Sequence, residues 1–143
     1  MKREGAKMRR RTNKGAALTE TAAGLILLIP VALFLLDAGA LIIAQISNDS
    51  LCKHAARAAA ELPNGTGQPA AMNVVANYAA GGPTLCQNAT LKSCNYSAAP
   101  SGGNVVTCTT EITCVLPCPI PLGGPSQVTF DAMDAEPVVG DPP

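Results

Sequence analysis

The sequence predicts an α+β protein: a long N-terminal membrane-spanning helix, then a small disulfide-rich exported region with a short helix and a β-hairpin-like antiparallel sheet. Three observations carry this expectation. Residues 22–46 form a mostly apolar run with a single charge, Asp37. Residues 105–114 alternate with period two, as a half-buried strand does. Six cysteines, Cys52, Cys86, Cys94, Cys108, Cys114 and Cys118, all lie beyond the apolar run.

The apolar run comes first. A helix rises 1.5 Å per residue, so residues 22–46 span a hydrocarbon core of roughly 30 Å with some tilt. Charge is split around it. Lys2, Arg3, Lys7, Arg9, Arg10, Arg11 and Lys14 stand against Glu4 in residues 1–14, a net +6. Residues 15–143 hold Lys53, Arg57 and Lys92 against nine acids, a net −6. A basic flank beside an apolar run keeps its side of the chain in the cytoplasm. No aromatic interleaves those cations, so base stacking has no platform and no nucleic-acid partner is expected.

Three readings of this segment compete. A conventional signal peptide would be cut after Ala38-Gly39-Ala40, but apolar sequence resumes at Leu41-Ile42-Ile43. A plain anchor explains the hydropathy but not Glu20, a carboxylate at the start of the apolar segment. The third reading uses all of Lys14-Gly15-Ala16-Ala17-Leu18-Thr19-Glu20: a basic leader ends in Gly, a small residue follows, and Glu is the fifth residue after that Gly.

That pattern resembles the class III signal of type IV pilins and pseudopilins. The resemblance implies cytoplasmic cleavage after Gly15 by a prepilin peptidase, which frees an amine on Ala16. Gly lets the backbone lie extended in a protease cleft. Losing the leader removes an attraction on the order of 1 kcal/mol per cation to an anionic leaflet. Ala16 and Glu20 fall one helical turn apart, on the same face. By resemblance, Glu20 is an assembly residue that pairs with the first-residue amine of a neighbouring subunit, which offsets the cost of burying each charge.

Length narrows the family, because residues 16–143 are longer than the major tight-adherence pilins. The sequence is similar to the TadE-like minor pseudopilins of that system. This rests on Gly15 to Glu20, on Pro30, on Asp37-Ala38-Gly39, and on Ser47-Asn48-Asp49-Ser50 running into Ala55-Ala56-Arg57-Ala58-Ala59-Ala60. Thr21 departs from it, since the family often has a large apolar residue there. The resemblance implies a bacterial inner-membrane protein with a cytoplasmic N-terminus and periplasmic C-terminus, open to incorporation into an extracellular pilus. Its expected partners are other pilin-like subunits, the prepilin peptidase, the inner-membrane assembly platform and the membrane itself.

The expected organisation is a basic leader over residues 1–15, an apolar transmembrane and assembly helix over 16–46, an exported continuation over 47–62, a Cys-rich α+β region over 63–136 and a flexible tail over 137–143. Pro30 removes one helical hydrogen bond and implies a kink, which membrane helices tolerate. Leu51, Ala55, Ala58 and Leu62 follow helical spacing, and Asp49, Lys53, Arg57 and Glu61 form a solvated ladder. Pro63-Asn64-Gly65 stops the helix. His54 is expected to be exposed.

A second helix is expected from Pro69 to Ala80, with Met72, Val75 and Ala79 as its packing stripe. Val106, Cys108, Thr110, Ile112 and Cys114 form one face of a strand, and Gln127 to Met133 is a second strand candidate. The Pro-rich stretch from Pro117 to Pro125 reads as a long irregular connection.

All six cysteines are disulfide candidates, which suits a chain with only 3% aromatic residues and a thin core. Cys86–Cys94 reads as a local loop. Cys108 and Cys114 share a face too far apart to bond each other, and Cys52 is a candidate tie between helix and sheet. The rival is a zinc site, which lacks Cys-x-x-Cys and paired His. No catalytic constellation stands out, so a non-enzyme without metal or cofactor is expected. Two other classes stay open: a secreted disulfide-rich binding protein, and an anchored protein that binds an envelope enzyme.

Overall fold

The computed structural model describes residues 14–63, 65–81, 86–98, 103–118 and 126–139. Its elements are α1 (Lys14–Ala60), α2 (Gln68–Gly81), β1 (Cys86–Ala98), β2 (Asn104–Val115) and β3 (Gln127–Pro137). The chain divides into two units, Met1–Leu33 and Phe34–Pro143. Residues 1–13 of the expected leader and 140–143 of the expected tail lie outside the described residues, as does most of the Pro-rich connection.

The first unit is helical throughout its described residues. Pro30 lies inside α1, with helix on both sides. Helices tolerate an internal proline at the loss of one bond when neighbouring turns stay intact.

In the second unit the strands form an antiparallel sheet in the order β1-β2-β3. The alternating residues of β2 read correctly from sequence: Val106, Cys108, Thr110, Ile112 and Cys114 are all fully buried. Val106, Cys108, Ile112 and Cys114 cluster with Ala44, Leu51, Ala55, Ala56 and Ala59 of α1. Burying Val106 and Ile112 contributes about 1.5–3 kcal/mol each. The expected hairpin is thus a three-stranded meander, and β1 is the strand the sequence pattern does not reveal.

β1 hides because it is irregular. Its register with β2 slips once between Gln87 and Thr90 and again between Leu91 and Ser93. Asn88 adopts φ 59° at the first slip, a conformation Asn tolerates better than most residues. Two such bulges destroy the period-two signal.

Several sequence expectations shift by a few residues. α1 ends at Ala60, and Leu62 beyond it is 38% exposed. Ala58 is half-buried, while Ala55, Ala56 and Ala59 carry the contact. On α2 the buried pair is Ala71 and Val75; Met72 and Ala79 face solvent. The helix packs beside β1, against Ala89 and Leu91. His54 is exposed, as are Asp49, Lys53, Arg57 and Glu61. Arg57 pairs with Glu136 of β3 at 3.1 Å rather than along the helix.

The tail assignment also changes. Pro137 completes β3, the Val138 amide donates to the Asn104 carbonyl at 2.8 Å, and the Val139 amide donates to the Ala60 carbonyl at 2.9 Å. The last turn of a helix leaves carbonyls without intrahelical partners. Val139 satisfies one of them, while Ala59 O accepts from the Leu62 amide at 3.3 Å and from the Tyr96 hydroxyl at 3.1 Å. Gly67 donates its amide to the same hydroxyl at 2.9 Å. A Cβ on Gly67 would collide with the Ala59 backbone and with that hydroxyl, so only glycine fits.

Candidate functional site

The N-terminal part of α1 carries the residues singled out for processing and assembly. Gly15 is exposed, and no atom stands near where its Cβ would be. Ala16 lies in the helix, though its side chain is outside the described residues. Glu20 is exposed. Helical geometry puts Ala16 and Glu20 one turn apart on one face.

The hydroxyls on this stretch turn inward to the backbone. Thr19 Oγ1 donates to Gly15 O at 3.1 Å, and Thr21 Oγ1 donates to Ala17 O at 2.8 Å. Such back-bonding hides polar hydrogens from an apolar medium.

Residues 17–36 are exposed without exception. Among them Ile26, Leu27, Phe34 and Leu35 each leave more than three-fifths of their surface open. A soluble surface helix shows an apolar stripe on one side and charge on the other. This one is apolar all round, and α1 is long and apolar enough to cross a membrane.

From Asp37 onward the same helix changes character. Asp37, Ala40, Ala44, Asn48, Leu51, Cys52, Ala55, Ala56 and Ala59 are buried, at steps of three or four residues. Alanines let the helix backbone come close to the sheet. Two polar side chains on this stripe exploit that closeness. Asn48 Nδ2 donates to Phe130 O at 2.9 Å and approaches Thr110 O at 3.5 Å, while Thr110 Oγ1 donates to Asn48 Oδ1 at 2.8 Å. The Cys52 thiol points between Cys108 O at 3.2 Å and Ala132 O at 3.4 Å.

The spacing has a simple cause. Four helix residues advance roughly 6 Å, and two strand residues advance roughly 6.7 Å. One turn on α1, from Asn48 to Cys52, therefore matches the step from Thr110 to Cys108 on β2 and from Phe130 to Ala132 on β3. Asp37, near the start of the stripe, accepts the Cys118 amide at 3.0 Å. Three polar groups thus fix the register of helix on sheet.

The cysteines sort into distinct environments. Cys94 of β1 and Cys108 of β2 form a disulfide, with a Cα–Cα distance of 4.2 Å. This corrects the expected Cys86–Cys94 loop: both residues lie on one strand, and each faces a cysteine of β2 instead. Cys86 stands opposite Cys114. Burial, and then the nearby Cys114, push the Cys86 thiol up from its ordinary 9.0 to about 11. Cys52 ties helix to sheet by hydrogen bonds through a free thiol, and burial pushes that thiol up as well. Cys118 is half-buried and free.

On the outer face of the sheet Lys92 bridges Glu111 at 2.6 Å and Asp131 at 2.8 Å. Its hydrogen bonds to Asp131 and then to Glu111 raise the Lys92 pKa. A shallow groove of about 400 Å³ lies between α1 and α2, lined by Ser47, Ser50, His54 and Tyr78 among others. Among the described residues, no three His, Cys, Asp or Glu side chains come together as a metal-holding group.

Asp37, Asn48, Gly67 and Tyr96 escape a reading of the sequence as structural keys. The signal for two of them is present: Asp37 and Asn48 share the helical stripe with Ala40 and Ala44. No family model, curated protein or solved structure matches the chain.

Proposed function

We propose that the protein is a pilin-like structural subunit, a TadE-like minor pseudopilin of a tight-adherence-type pilus or related secretion machine. It is made as a precursor in the bacterial inner membrane, and a prepilin peptidase cuts it after Gly15. Its partners are other pilin-like subunits and the inner-membrane assembly platform, and it carries out no catalysis.

One observation supports this above others. A single helix joins an apolar stretch exposed on every side to a stretch whose one face is keyed to a small antiparallel sheet. A helix of that kind serves both as a membrane span and as an assembly spine. Glu20, at the head of the exposed stretch, is the one acid in residues 17–36. A carboxylate there is costly in lipid and needs a cationic partner. The amine freed on Ala16 of another subunit is that partner.

Cleavage after Ala40 fits less well. It would remove Asp37, which holds the Cys118 amide, and would cut within the helical stripe that includes buried Ala40.

The test is incorporation of the subunit into sheared pilus fractions or crosslinked assemblies in cells. Glu20→Ala should be processed normally yet lost from assemblies, whereas Glu20→Asp should retain partial incorporation. Full incorporation of Glu20→Ala would refute the docking role. Processing of Gly15→Val would refute the cleavage assignment.

A further inference from the structure

We infer that Cys86 and Cys114 close a second disulfide, making a two-rung ladder with Cys94–Cys108 across β1 and β2. The inference stands apart from the pilin reading, because it rests on strand register alone.

Cys86 and Cys114 are direct partners in the antiparallel register, as are Cys94 and Cys108. On β2 the two cysteines lie six residues apart, so they share a face and the same hydrogen-bonding parity. The existing bond sits at a 4.2 Å Cα separation, in the close, non-hydrogen-bonded class of cross-strand pairs. Parity along β2 gives the Cys114 position that same class.

On β1 the interval from Cys86 to Cys94 is eight residues rather than six. The two bulges absorb the difference, one residue each. A single bulge would have turned Cys86 to the opposite face, whereas two restore it. The irregularity of β1 therefore has a consequence for chemistry: it delivers both of its cysteines to the face that carries Cys108 and Cys114. All four are buried or half-buried there, away from competing thiols in solution.

Oxidation joins the two sulfur atoms and releases two protons and two electrons. An external disulfide, such as oxidised glutathione or the disulfide of an oxidising enzyme, takes the electrons and becomes two thiols. Cys52 and Cys118 remain as thiols, the first engaged with strand carbonyls and the second beside Asp37.

Trypsin separates the possibilities. Beyond Lys14 its sites are Lys53, Arg57 and Lys92. Peptide 58–92 then carries Cys86 alone, peptide 93–143 carries Cys94, Cys108, Cys114 and Cys118, and Cys52 falls in the peptide ending at Lys53. The full chain in detergent is reduced, reoxidised with oxidised glutathione, alkylated and digested without reductant.

Mass spectrometry should find 58–92 joined to 93–143, and reductant should release it. The link should persist in Cys118→Ser and vanish in Cys114→Ser, with Cys86 alkylated. Fragmentation of the linked native peptides assigns the partner should Cys114→Ser fail to fold. The inference is overturned by free, alkylated 58–92 from native chain in which Cys94–Cys108 has formed. It is equally overturned by a bond from Cys86 to Cys118 or to Cys52.

Discussion

The two stretches of α1 invert the usual relation between hydropathy and burial. Residues 17–36 are rich in Leu and Ile and are all exposed. Residues 37–60 are rich in Ala, include Asp37, Asn48 and Cys52, and bury one whole face. Large apolar side chains suit a surface that meets lipid or other helices. Small ones suit a surface that must lie close to a sheet and let polar keys reach strand carbonyls. Composition within a single helix thus separates a surface left exposed from a surface used within the fold.

The largest test of that contrast is one substitution on each surface. Ala55→Asp leaves an unpaired carboxylate in a fully buried site and should cost on the order of 3–5 kcal/mol. Thermal unfolding of the full chain in detergent, followed by circular dichroism, should show the loss of sheet stability. Ile26→Ala should leave that midpoint within about 0.5 kcal/mol of the parent. Equal effects from the two changes would erase the contrast.

Removing a polar key is the next step down. Asn48→Ala strands the Thr110 hydroxyl and frees the Phe130 carbonyl, so a cost of about 1–3 kcal/mol is expected in the same assay. A smaller loss, about 1 kcal/mol, is expected for Tyr96→Phe, which takes the acceptor from the Gly67 amide and one of two donors from Ala59 O at the end of α1.

These keys also mark the limit of what the sequence discloses. The long helix, α2, β2 and β3 were legible because each shows a period or a stop signal: the apolar run, Pro69 with Gly81, and the alternation from Val106 to Cys114. β1 was not, because bulges near Asn88 and Lys92 break its period. Disulfide pairing depends on strand register, which no spacing within the sequence reveals. Asn48 looks like a surface residue until the carbonyls of Thr110 and Phe130 come to it from residues distant in the chain. The proposed processing motif, by contrast, is purely local, from Gly15 to Glu20.

The subtlest prediction concerns pH. In the reduced chain the Cys86 thiol titrates near 11 rather than 9.0, so the fold favours its neutral form. A raised folded value adds stability that is fully present below pH 9 and lost as pH climbs towards about 11. Denaturant midpoints of reduced protein should therefore fall across that window more steeply than those of Cys86→Ser. Parallel curves for the two would remove the buried thiol from the account.

The central claim is that the exposed stretch of α1 starts a processed, pilin-like subunit. The most direct measurement is the mature N-terminus, by mass spectrometry of protein taken from membranes. A processed pilin-like subunit would give a chain that begins at Ala16. A chain beginning at Leu41, or one that retains residues 1–15, would contradict the claim.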